Sequence, residues 1–439
     1  MERLFICIFT ILCFILASIG RRGFGPGEQE WGYVEVRPNA HMFWWLYYTT
    51  ADVESYYDKP LMIWLQGGPG SSSTAYGNFE ELGPLDTDLK PRNYTWVKKY
   101  NVLFIDNPVG AGFSYANVTS AFATTNAQIA SDLYECIRGF YNQLPNFKSV
   151  PTYITTQSYG GKMGAEFALV WYRAQNGGTI ESNLKGIALG DAWISPIDYV
   201  MTWAPFLLRT GMVDIGGFDE IDTAAKETKA KIEAGEWKMA MKKCAFTQGV
   251  ISLLTYDIDF YNILTKRNYS NYGLSLQSLS YFNEDTIYKY FQPENDTLEL
   301  LMNGPVKQAL GLEVTHGNQS KTVHTILKEE IMKPVTNIVE LLLDETNLKV
   351  FVYNGHLDLI VDISGTVNWV DNLRWKDADK WKNVTIREPL VVEDIVEGYY
   401  KIQDNFAMFW VNRAGHMVPR DNPAAMERIL HNLTNHHTK

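Results

Sequence analysis

Short apolar runs that alternate with helix-spaced stretches constrain this chain more than any other feature. Residues 60–65 and 101–105 are apolar, too short for core helices, and end in Gly, Pro and Asn, as buried strands do when their loops gather at one sheet edge. Residues 124–143 follow with Ile129, Leu133, Ile137 and Phe140 at helical spacing, then 151–155 as a strand, 161–174 as a helix and 184–189 as a strand. Strand, helix and strand in that order specify βαβ units and a largely parallel sheet. Tyr33, Val34 and Val36, followed by 42–49, read as paired strands that open the sheet. Residues 350–353 and 406–411 extend it, and 423–433 read as a closing helix. Between about 199 and 300 the pattern turns to Lys, Glu, Ala and Met at helical spacing and then to Tyr, Asn and Ser, which reads as an inserted helical cap. The chain thus divides into a leader (1–20), a first part of an α/β core (21–198), the cap (199–300) and a second part of the core (301–439). Residues 21–30, rich in Gly, Arg and Glu, read as a frayed new start.

The leader is an apolar run over 4–19 behind Arg3, with small Ser18 and Gly20 placed for cleavage, the pattern of a secretory signal peptide. A retained anchor is the alternative, since Arg21 and Arg22 could stop transfer, although a spanning helix needs about 20 apolar residues. No later segment is long and apolar enough to span. Cys7 and Cys13 fall in the leader, so Cys136 and Cys244 can form at most one disulfide. Seven N-x-S/T sequons, at Asn93, Asn117, Asn268, Asn295, Asn318, Asn383 and Asn432, fit a glycoprotein of the secretory or lysosomal route. With 39 Lys and Arg against 50 Asp and Glu, the formal net charge is -11, and the electrostatic footprint of a nucleic-acid binder is missing. The 46% hydrophobic content is that of a globular chain.

The sharpest local feature is Thr156-Gln157-Ser158-Tyr159-Gly160-Gly161 between a strand and a helix, the shape of a nucleophile elbow. A serine hydroxyl attacks only when exposed on a strained turn and offered a base, and Gly160 and Gly161 supply the small side that such a turn needs. Thr156 stands where G-x-S-x-G has its first Gly, so a buried turn serine remains the alternative. Gln66-Gly67-Gly68-Pro69-Gly70 follows a strand directly. It reads as an ordinary Gly-Pro turn, or as a source of preset N–H donors for an oxyanion, Gly68 beside Tyr159. Of eight histidines, His416 in Ala-Gly-His-Met-Val-Pro follows a strand and can reach over the sheet edge. His316 lacks strand support, and His41 precedes the serine. Asp358 and Asp362 both follow a strand, and Asp358 is nearer its end. Ser158, Asp358, His416 keeps the order nucleophile, acid, base found in α/β-hydrolases, whereas His356 precedes Asp358.

WLQGGPGSSS, FEELGPL, NVLFIDNPVGAGFSY, QSYGGKMG, YNGHLDLIVD and AGHMVP resemble, in order and across essentially the whole mature chain, the motifs of the serine carboxypeptidases. Gln66, the GGK after Tyr159 and LMNGPVKQAL are similar to the retinoid-inducible branch. The resemblance implies an α/β-hydrolase fold with a helical cap and an exopeptidase acting on peptide or protein C-termini in an acidic or extracellular compartment, without metal or cofactor. It implies Ser158 as nucleophile, His416 as base, Asp358 as its orienter, and Gly68 and Tyr159 N–H groups as the oxyanion hole. It places the substrate carboxylate at Gln66, Gly67, Gln157 and Glu80 or Glu81. Gln66 stands where the family has Asn, Gln157 where it has Glu, and Ser71 where it has Cys. The second change removes one of two coupled carboxyls and is expected to broaden the pH range. An acyltransferase on the same scaffold, or a silent binding protein, are the competing readings.

Overall fold

A computed structural model describes residues 21–266 and 296–435. The leader, the cap reading over 267–295, and the sequons at Asn268 and Asn295 lie outside the described residues.

Eleven strands form one sheet. They are β1 (Gln29–Arg37), β2 (Ala40–Tyr47), β3 (Leu61–Leu65), β4 (Asn101–Ile105), β5 (Tyr115–Ala116), β6 (Thr152–Gln157), β7 (Leu184–Gly190), β8 (Lys349–Gly355), β9 (Glu388–Val392), β10 (Ile395–Gln403) and β11 (Phe406–Val411). Their order is β1-β2-β4-β3-β6-β7-β8-β11-β10-β9, with β5 paired to β2. From β4 to β11 every neighbour is parallel, and both flanks are antiparallel. The parallel core holds the five central strands anticipated from short apolar runs, together with β11. The β9–β10 hairpin was not anticipated. It lies at the sheet margin with Val391, Ile395 and Val396 exposed, so no buried face imposes a clear alternation, and its turn uses Glu393 and Asp394 at φ 48° and 64°.

The alternation of side chains along β3 separates two apolar layers. Leu61, Ile63 and Leu65 pack with helices α1 (Asn126–Gln143) and α2 (Tyr159–Asn176) on one face. Met62 and Trp64 pack on the other face with Phe79, Leu82, Met426 and Ile429. Helix α1 starts where the Thr125 side chain accepts from Gln128 N–H. The start of the described chain is not frayed: Arg21 bridges to Gln29, stacks on Trp31 and pairs with Glu30, while the Gln29 amide is buried and donates to Phe24 O. Sequence reading missed this because the glycines there serve turns, Gly25 and Gly27 at φ 86° and 84°, while the ordering contacts come from residues further along.

Helices α3 (Pro196–Arg209), α4 (Ile215–Glu233) and α5 (Trp237–Leu254) pack successively in the stretch read as the cap. Helix α6 (Lys321–Ile331), which sequence reading assigns to the second part of the core, packs on α5. Cys136 on α1 and Cys244 on α5 are both buried and unpaired, so the possible disulfide does not form.

One buried cation joins α6 to the core. Lys162 on α2 points Nζ at the carbonyls of Glu330 and Ile331, at 2.8 and 3.0 Å, and at that of Lys333. Trp193 Nε1 donates to Ile331 O at 2.8 Å beside it. Removing the lysine that donates to this buried carbonyl set strands polar groups in a low-dielectric setting. Lys162→Met is therefore expected to lower unfolding free energy by about 2–4 kcal/mol in denaturant titration. A change below about 0.5 kcal/mol, the scale of an ordinary surface substitution, would show that this contact does not hold α6.

Candidate active site

Strand β6 ends at Gln157, and Ser158 follows at φ 58°, ψ -129°, a strained conformation for a residue with a Cβ. Its backbone is held on both sides. Ser158 N–H donates to Gly190 O at 3.0 Å, and its carbonyl accepts from Gly161 N–H at 3.0 Å and Trp193 N–H at 2.9 Å. Close packing requires glycine around it: a Cβ on Gly160 would lie 2.3 Å from Leu65 O, one on Gly161 2.3 Å from Ala192 Cβ, and one on Gly67 2.6 Å from Ser158 Cβ. Tyr159 N–H opens α2, where an α-helix leaves its first donors without helical partners. Gly67 packs beside that nitrogen, and Gly68, at φ 110°, lines the same cleft.

Asp106, which sequence reading passed over, braces the glycine loop. Buried at the end of β4, it accepts from Ser72 Oγ at 2.7 Å, Thr74 N–H at 3.0 Å, Thr74 Oγ1 at 2.8 Å and Phe113 N–H at 2.8 Å. His316 Nε2 lies 3.0 Å from Ser72 Oγ, and burial pulls its pKa down to about 3. It is thus a neutral part of the brace.

The ends of β8 and β11 bring Asp358 and His416 together. His416 Nδ1 meets Asp358 Oδ2 at 2.7 Å with both side chains buried, and Asp358 Oδ1 accepts from Val361 N–H at 3.1 Å. Asp362 turns elsewhere: it caps α7 (Ile363–Asp371) by accepting from Ser364 and Gly365 N–H, and it takes the Thr202 hydroxyl at 2.6 Å. Desolvation pulls the His416 pKa down to about 4, which keeps the ring neutral near neutral pH. With Nδ1–H given to Asp358, Nε2 carries the lone pair. It is buried without a hydrogen bond, and His416 and Ser158 line one cleft. The missing Ser158–His416 hydrogen bond is a looseness that unliganded sites often show. His41 stacks on Tyr115, His431 is exposed, and His436 and His437 lie outside the described residues.

Gln66, Gly67, Glu80, Glu81 and Gln157 all line this cleft, and their bonding separates them. Gln66 Nε2 donates to Glu81 Oε1 at 3.0 Å and Gln157 Oε1 at 3.2 Å, and Gln66 Oε1 accepts from Trp64 Nε1 at 2.6 Å. Both amide hydrogens of Gln66 are therefore committed within the protein. Gln157 Nε2 donates to His416 O at 3.0 Å, which ties the end of β6 to the backbone that carries the imidazole. Glu81 is buried, its Oε2 has no partner, and desolvation pushes its pKa up to about 8. Glu80, its neighbour on the π-helical segment Ser73–Leu82, is half-buried. A further acid unnoticed in the sequence, Asp191, lies buried beside Asp358 and His416, with atoms of all three within 4.8 Å of one another. Asp358 and His416 turn theirs to each other, so the trio is not arranged as a metal centre.

The serine carboxypeptidase family model matches residues 22–436. The chain belongs to the serine carboxypeptidase family. It is 42% identical over 408 residues to the retinoid-inducible serine carboxypeptidase of Rattus norvegicus, spanning 90% of this chain and 89% of that one. It is 37% identical to serine carboxypeptidase-like 51 of Arabidopsis thaliana, over 97% of each. Among solved structures, the prohormone-processing carboxypeptidase Kex1Δp of Saccharomyces cerevisiae superposes with a TM-score of 0.77 at 22% identity, over 93% of this chain and 91% of that one, and so shares the α/β-hydrolase fold. The enzyme is a serine carboxypeptidase, a hydrolase of peptides.

The contrast between the two aspartates is directly testable. Asp358→Asn in this carboxypeptidase is expected to cut kcat by about 10³ to 10⁴, because an amide there favours the wrong imidazole tautomer. Asp362→Asn should stay within about threefold in kcat while losing about 1 kcal/mol of stability from the weakened cap. Steady-state kinetics with thermal melts decides, and the reverse ranking would overturn the assignment.

Proposed function

We propose that Ser158 Oγ attacks the carbonyl of the last peptide bond while His416 Nε2 takes its proton. His416 then delivers that proton to the departing amino acid, and water hydrolyses the acyl-Ser158 ester by the same relay. Asp358 holds the imidazole tautomer, and the Gly68 and Tyr159 N–H groups receive the oxyanion. The observation that carries this reading is the 2.7 Å His416–Asp358 pair opening on the cleft that holds the strained Ser158. Ser158→Ala should lose about 10⁶ in kcat while folding normally. On paired peptides, the wild type should cleave free C-termini far faster than amidated ones. Equal rates on the two would overturn the exopeptidase reading.

Substrate recognition is assigned mainly to Glu81. With Gln66 committed inside the protein, the protonated Glu81 carboxyl and the second N–H of Gln157 are the donors proposed to hold the substrate's terminal carboxylate. Gln66 and Gly67 shape this anchor, and Glu80 flanks it. Met241, Ala245, Phe260, Ile331 and Met332 line the remaining wall, which favours an apolar side chain beside the scissile bond. The leader and the exposed sequons at Asn93, Asn117 and Asn383 support a glycoprotein that is secreted or lysosomal. Asn318 and Asn432 are half-buried, and Asn318 Oδ1 is fully enclosed, which makes it the poorest acceptor of the described sequons. No helix among the described residues is long and apolar enough to cross a membrane.

A raised carboxyl pKa sets the direction of the pH dependence. Glu81 donates while protonated and repels the substrate anion once ionised, so KM should rise as pH passes about 8 with little change in kcat. Glu81→Gln keeps a donor at every pH and should flatten that rise. An alkaline KM limb that persists unchanged in Glu81→Gln would rule this carboxyl out.

A further inference from the structure

The acid beside the triad has no role in the chemistry described so far. Asp191 follows β7 directly, is fully buried, and sits at φ 41°. Its N–H donates to Tyr353 O at 2.8 Å, and its Oδ1 accepts from Gly355 N–H at 2.9 Å, so it is fixed to the end of β8 from two sides. Its Oδ2 is enclosed with no donor directed at it. The ionisable groups facing it are the carboxyl of Asp358, the imidazole of His416 and the phenol of Tyr353, whose hydroxyl donates away to Thr156 O. Beyond His416 lie Asp259, Arg420 and Asp421.

Two buried carboxyls with oxygens within 4.8 Å of each other cannot both be ionised without a large penalty, and a single neutral imidazole does not compensate them. Donor placement decides which keeps the charge. Asp358 receives the His416 Nδ1–H and the Val361 N–H, whereas Asp191 receives only the Gly355 N–H. The geometry points to Asp191 as a positioning residue: a protonated carboxyl that donates its hydrogen to Asp358 and so extends Ser158, His416 and Asp358 by one further link. Burial first, and then the Asp358 charge, push the Asp191 pKa well above the ordinary carboxylate range, and burial pushes Asp358 up as well, where the N–H groups of Val361 and Ile360 oppose it.

The consequence is felt at the base. A donor on Asp358 withdraws electron density from the carboxylate that faces the imidazole, which weakens its hold on an imidazolium proton and keeps His416 a free base at lower pH. The Asp191 proton itself stays in place throughout the catalytic cycle.

This inference rests on the proposed triad, and its test separates the two. Asp191→Asn keeps both the acceptor for Gly355 and a donor for Asp358. It should leave kcat/KM within about threefold and the acidic limb of its pH profile in place. In wild-type-minus-Asp191→Asn infrared difference spectra near neutral pH, one carboxylic-acid C=O band should be present. Asp191→Ala should lower kcat at least tenfold and move the acidic limb to higher pH. A limb displaced by a unit or more to lower pH in Asp191→Asn would mean that an ionised Asp191 had been supporting the imidazolium, and would overturn the proposal. So would absence of the difference band, which can be read whether or not Asp191→Ala folds. Retained activity in Asp358→Asn would instead refute the triad beneath it.

Discussion

The site depends on one strained residue. Holding Ser158 at positive φ costs on the order of 1–3 kcal/mol, and surrounding structure must make every relaxed alternative worse. The packing of Gly67, Gly160 and Gly161 does this by steric exclusion, and the bonds from Ser158 to Gly190, Gly161 and Trp193 lock the turn from three directions. Asp106 adds the outer brace by holding Ser72 and Thr74, which follow the glycine loop, and so removes conformational freedom that its glycines would otherwise have. The hydroxyl is presented because the backbone around it has nowhere else to go.

Burial shapes the electrostatics of the acids at and around the site. The chain carries a formal charge of -11, yet a carboxypeptidase must admit an anion to its cleft. Burial raises the pKa values of Glu81, Asp106, Asp191 and Asp362. Glu81, raised to about 8 and lining the cleft, is protonated near neutral pH and adds no negative charge there. Gln157 carries no charge at any pH, and its contact with the His416 carbonyl ties the end of β6 to the loop after β11.

What the sequence revealed follows from the range over which each signal acts. The strand runs, α2 and the Ser158 turn are local, since each is decided by side-chain spacing and small residues within a dozen positions. The preference for Asp358 over Asp362 rested on nearness to a strand end and on apolar neighbours; in the structure Asp358 faces His416, whereas Asp362 caps α7. Asp106 and Asp191 were missed although each directly follows a central strand, at the sheet edge where loops gather, and that position was the available signal. The bonding state of Gln66 could not be read, because its partners Glu81 and Gln157 are separated from it by 15 and 91 residues. The β9–β10 hairpin left little pattern because it lies half in solvent at the sheet margin.

The Lys162 contact has a mechanical meaning. The helix that begins one residue after Ser158 and the helix that helps roof the cleft are fastened through the single Lys162 side chain to three carbonyls at the end of that roof. Displacement of the roof is therefore transmitted to the helix bearing Tyr159, and the two walls of the cleft travel together. The spacing between those walls is thus held as in a fixed-jaw gauge.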